Sequence, residues 1–206
     1  MIDDSNRIYF IGGLTSFIGG LLMLFTSILF LIQGDERQDV IHGISVVIPI
    51  LVVPTVIATT ALLIKDVKTG ALLGIGFAAL WVVIELIAHG SQSAPLSTIN
   101  ELMPNSTTEK AEKNLIAVWG EWGNALIKIS AFLFSLSALC YGLALRTWGN
   151  PTSAYLLIIA ALSFAITFIP GVHFYWHVLV RGIAFLFLGG VLMLATQQRV
   201  HQEWES

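Results

Sequence analysis

Six apolar runs, each close to the length that crosses a bilayer, dominate this sequence. They cover about residues 8–32, 44–64, 71–89, 115–145, 155–169 and 173–197. A spanning helix needs roughly 20 mostly apolar residues, and an α-helix is one of the few structures that pairs its own backbone in hydrocarbon. The spacing predicts an all-α integral membrane protein, a bundle of about six transmembrane helices that forms one polytopic domain over 1–206. The fifth run is the shortest, and Pro170-Gly171 ends it. The first run is too long for the apolar region of a cleaved signal, and no small-residue cleavage site closes it, so it is expected to remain as a helix.

Composition narrows the class further. The chain is 56% hydrophobic and 11% charged, with a mean hydropathy of +0.82, which leaves too little charge for a soluble domain of this size. Its net charge of -3 is spread over connections, so no basic field offers itself to nucleic acid, and membrane lipids are the expected surroundings. The one cysteine, Cys140, makes neither an internal disulfide nor a thiolate cluster.

The connections are short except for 90–114, a stretch rich in Ser, Thr, Asn and Glu, in which a short amphipathic helix is expected near 107–113. It also carries a glycosylation sequon, Asn105-Ser106-Thr107. Lys and Arg favour the cytoplasmic side of a membrane. With the first helix starting in the cytoplasm, Arg7, Lys65, Lys68, Arg146 and Arg199 lie inside, and 90–114 becomes an outer loop. This N-in/C-in arrangement fits a plasma membrane, the inner membrane of a bacterium. In size and helix spacing the chain resembles small polytopic proteins of bacterial plasma membranes, a likeness of outline that carries over no site residue.

Small residues at four-residue spacing let helix backbones approach closely in lipid. Gly12, Ser16 and Gly20 do so on the first helix, and Gly70, Gly74 and Ala78 on the third. Both sets read as internal packing seams, with a homodimer seam as the alternative; nothing in the sequence sets the oligomeric state. Pro49 and Pro54 predict a kink in the second helix, with Ser45, Thr55 or a water serving the freed backbone groups. The segments Gly19–Leu24 and Gly189–Leu194 look alike, but nothing else aligns between the halves, so an inverted-repeat transporter gains no support.

Charge inside the apolar runs is costly and demands a reason. Glu85 and His89 share a face of the third helix. Glu121, Asn124, Lys128 and Ser135 form a polar stripe on the fourth, with Ala131 filling the gap, and the stripe is expected to point at protein. His173, His177 and Arg181 repeat at four-residue spacing at the start of the sixth, and His42 starts the second. The alternation of spans brings all the ionisable groups to one half of the membrane, the outer one in this orientation. Glu85, His89, Glu121, Asn124, Lys128, His173, His177 and Arg181 are therefore the expected lining of an outward-facing intramembrane pocket.

Three readings of that pocket follow. Two carboxylates balance two cations, so the set reads as a structural ion-pair network in an accessory or interaction subunit. Carboxylate and imidazole are also ligands for Zn or Fe, and His89, His173, His177 and Glu85 supply two i,i+4 pairs for an intramembrane metal enzyme, or histidines for a haem. Finally, a wet pocket with both signs of charge suits binding or passage of a small polar ligand, a lipid headgroup or a proton, and this leads among the readings with an activity. No GxSxG elbow, P-loop, GxGxxG or HExxH is present, so no residue is assigned a catalytic role.

Overall fold

The computed structural model describes residues 4–33, 38–93, 109–169 and 174–205, all helical apart from short turns. Six helices are long and apolar enough to cross a membrane. They are α1 (Asp4–Gln33), α2 (Gln38–Leu63), α3 (Lys68–Ser93), α4 (Glu109–Trp148), α5 (Pro151–Leu162) and α6 (Tyr175–Glu205). The fifth is completed by a 3-10 segment, Ser163–Phe168. Each helix packs on its neighbours in the chain, and α6 closes a ring against α1. We call the end where α1 starts proximal and the end where it finishes distal.

Local sequence explains the breaks. At the end of α4, Gly149 takes φ 103°, a conformation that favours glycine. It lets the Asn150 amide reach back to the Leu145 carbonyl at 2.9 Å and the Gly149 amide to Arg146 at 3.3 Å, the two bonds of a Schellman stop. Asn150 then caps α5 by accepting the Ser153 amide at 3.2 Å, with Pro151 in the first turn, where a missing N–H costs nothing. The expected turn at Asn150-Pro151 is thus a paired stop and start.

One helix boundary differs from the sequence reading. From Glu109 on, the expected short amphipathic helix is the opening of α4 itself. That helix has 40 residues, about 60 Å at 1.5 Å per residue, roughly twice the hydrocarbon thickness. As expected, Pro49 and Pro54 lie inside one helix, α2. The Thr55 hydroxyl does not serve a carbonyl freed by proline; it donates to Gly12 O on α1 at 3.0 Å. The sequon and His173 lie outside the described residues.

Both small-residue sets are seams within the bundle. A Cβ on Gly13 would stand 3.0 Å from Gly189 O, and one on Gly189 2.8 Å from Gly13 O; a Cβ on Gly20 would stand 2.8 Å from Gly182 O, and one on Gly182 2.9 Å from Gly20 O. Backbone meets backbone at both levels, so α1 and α6 touch without intervening side chains. Between them, Ser16 donates to Phe185 O at 2.7 Å. On α3, Gly70 faces Ala144 and Gly74 lies under the Tyr141 ring. The outward face of α1 exposes Phe10, Leu14, Phe17, Leu21, Phe25 and Ile28, a stripe that water would penalise and hydrocarbon would match.

Candidate functional site

Glu85, on α3 toward the distal end, is the centre of a buried polar cluster. Its Oε2 accepts from the Trp81 indole N–H, one turn back on the same helix, and from the Ser130 hydroxyl of α4 at 2.7 Å. Its Oε1 accepts from Arg181 Nη2 of α6 at 3.3 Å. His89, one turn distal, holds Nε2 3.9 Å from the same oxygen, and its Nδ1 meets His42 Nδ1 of α2 at 3.1 Å. One ring must donate and the other accept in that last contact, so the two imidazoles carry complementary protons. The cluster therefore draws on α2, α3, α4 and α6.

Arg181 is only 1% exposed, yet its Nε and Nη1 have no hydrogen-bond partner among the described residues. Its guanidinium lies over two aromatic rings, 4.9 Å from the Trp81 centroid and 4.3 Å from that of Phe134. Cation–π contact covers the plane of the group but leaves its edge donors unsatisfied. Beside it is a cavity of about 30 Å³, with Glu85, His89, Arg181, Ser45 and Thr26 in its wall. That is room for a water or two. Pro49 has no N–H, so the Ser45 carbonyl lacks its usual helical donor.

The cluster is layered. Trp81, Phe134 and Phe185 stand one turn proximal of Glu85, Ser130 and Arg181, each on the same helix as its polar counterpart. The three rings touch one another, with centroids 5.1 Å (Trp81–Phe134), 6.2 Å (Phe134–Phe185) and 6.3 Å (Trp81–Phe185) apart. Helical periodicity thus turns three i,i+4 pairs into a polar layer lying on an aromatic one.

Of the sequence-predicted pocket residues, Glu85, His89 and Arg181 come together, and His42 joins them. His177 is buried nearby but is occupied elsewhere: its Nδ1 meets the Ser163 hydroxyl at 2.7 Å, and Phe134, Phe164 and Phe174 surround its ring. Glu121, Asn124 and Lys128 are exposed, which corrects the expected inward stripe. The periodicity was sound, since Ala131 and Ser135 further along that face are buried. Gly142, seven residues on, meets Ala154 and Ile158 of α5, so this face of α4 looks toward α5. The described part of that strut stops at Ile169, and α4 runs past it with its charges uncovered.

Trp81, Ser130, Ser45 and Thr26 are site residues that the charge search did not single out. The available signal was their position one turn from, or opposite, a charged group.

The described donors do not suit a cation, and His173 of the expected set lies outside them. Among the described residues no three His, Cys, Asp or Glu side chains stand together as a metal centre. Both Glu85 oxygens already accept, His89 Nδ1 is turned to His42, and a guanidinium sits alongside. The cavity of about 30 Å³ beside His89 also has no room for a haem, and His177 is not in its wall. No family model, curated protein or solved structure matches the chain.

Proposed function

We propose that the chain is a multi-pass protein of the plasma membrane, N-in/C-in, whose distal pocket faces outward and binds a small polar ligand. The orientation rests on Arg7, Lys65, Lys68 and Arg146, all exposed toward the proximal end, as a cytoplasmic face prefers. The ligand reading rests on one observation: Arg181 is buried beside a cavity with two N–H-bearing nitrogens that have no partner among the described residues. Leaving a buried donor unmade costs about 1–3 kcal/mol, and an occupant with an acceptor oxygen removes that cost. A small solute supplies such an oxygen, as does a lipid headgroup that reaches one oxygen into the cavity, or a neutral water that relays a proton to a neighbour.

The reading is tested by thermal unfolding of the purified protein in detergent, with and without inorganic phosphate, acetate, urea or glycerol. At least one should raise the melting temperature of the natural protein and leave an Arg181→Met variant unmoved. No shift with any of them, or equal shifts in both proteins, would remove the pocket as a binding site.

A structural network is the second reading, favoured by the number of donors already on Glu85. It predicts lost stability on neutralising Glu85 without any ligand response.

A further inference from the structure

A second cavity lies on the proximal side of the aromatic layer. It measures about 20 Å³, and its mostly apolar wall includes Thr55, Thr59, Ser137 and Tyr141 together with the layer itself, Trp81, Phe134 and Phe185. The distal cavity ends on Arg181 and Glu85, which rest directly on Trp81 and Phe134. Two water-sized spaces on the bundle axis are thus separated by one layer of rings.

The polar groups on the two sides are complementary. Distally, Arg181 presents unused donors. Proximally, the hydroxyl hydrogens are spent: Thr55 donates to Gly12 O at 3.0 Å, Thr59 to Thr55 O at 2.8 Å and Ser137 to Gly74 O at 2.9 Å. Their oxygens keep lone pairs free to accept. A molecule moving between the cavities must accept on one side and donate on the other, as water and small amides or alcohols do. A cation meets the guanidinium, an anion meets Glu85, and either would shed its hydration against three aromatic rings.

We propose that the two cavities are halves of one path through the bundle for water-sized uncharged hydrogen-bonding solutes, closed in this structure by Trp81, Phe134 and Phe185. This rests on the pocket reading above and extends it from binding to passage.

The full chain, reconstituted into lipid vesicles, tests it by stopped-flow light scattering for osmotic water flux, with a trapped pH dye for proton leak. Phe185 is the ring to change, because no charged group of the polar cluster bonds or stacks with it. Phe185→Ala should raise water permeability several-fold over the natural protein and over Phe132→Ala, a change at an exposed ring, with no added proton leak. The milder Phe185→Leu should raise it less, and it decides the matter if the alanine variant does not fold. Unchanged water permeability in a folded Phe185 variant would overturn the path, as would a rise matched by proton leak. If phosphate, acetate, urea or glycerol still stabilises that variant, the pocket stands and only the passage fails.

Discussion

Arg181 and Glu85 meet through a single contact, Nη2 to Oε1 at 3.3 Å, although both side chains are almost fully buried. A guanidinium and a carboxylate can form two parallel bonds, and here they do not. Glu85 spends its other oxygen on Trp81 and Ser130, and Arg181 spends its plane on two aromatic rings. The pair holds α3 to α6 while leaving donors open.

Removing one partner of a buried pair strands the other's charge, a loss of about 3–5 kcal/mol. Glu85→Gln should therefore lower the unfolding free energy in detergent micelles by that order. Ser130→Ala removes one hydrogen bond to the charged group and should cost about 1.5–3 kcal/mol. The double change Glu85→Gln with Arg181→Met should be milder than Glu85→Gln alone, because no unpaired charge remains. A Glu85→Gln protein as stable as the natural one would show that the pair carries no stability.

The α1–α6 seam has no slack. Gly189→Leu or Gly182→Leu would drive side-chain atoms into facing backbone that cannot yield, and the expected result is loss of the monodisperse folded species on size-exclusion chromatography. Gly76 has nothing within 4 Å of its missing Cβ. There, alanine should be neutral or stabilise by about 0.5–1 kcal/mol through helix propensity. If both substitutions behave alike, the seam is not as close as described.

The Tyr141–Thr60 contact, 2.6 Å between hydroxyls of α4 and α2, predicts an asymmetry. Tyr141→Phe leaves Thr60 still donating to Val56 O at 2.8 Å, so it should cost only about 0.5–1.5 kcal/mol. Thr60→Val leaves a buried phenol with a single long contact, 3.5 Å to Val56 O, and should cost about 1–3 kcal/mol. Equilibrium unfolding of both variants in the same detergent gives the order, and the reverse order would contradict this geometry.

Orientation is open to labelling. Lys65 and Lys68 are exposed beside the α2–α3 turn. A membrane-impermeant amine reagent should modify them, by peptide mass spectrometry, only after cells are opened. Modification in intact cells would invert the N-in/C-in arrangement.

The helices were legible because hydropathy over a bilayer length is a strong, one-dimensional signal. Glu85, His89 and Arg181 were legible because a charge within such a run has few reasons to be there. The seams at Gly12 to Gly20 and Gly70 to Ala78 followed from spacing alone. Periodicity gives a residue's direction around its helix but not the length of the neighbour it faces, which is why Glu121, Asn124 and Lys128 were misplaced. The aromatic layer was hidden for a related reason. Trp81, Phe134 and Phe185 look like ordinary apolar residues until three helices are set in register, and only then does their common offset from Glu85, Ser130 and Arg181 appear.

The closure of α6 on α1 has a consequence for the order of synthesis. Glu85 stands on the third helix, and the cation that answers it arrives on the sixth. The glycines of α1 likewise wait for Gly182 and Gly189 of that last helix. Throughout the intervening translation the nascent chain lacks that cation and the facing glycines, with Trp81 and His89 and then Ser130 beside the carboxylate. A product arrested before the sixth helix thus carries two marks of incompleteness, and both are erased by the same event.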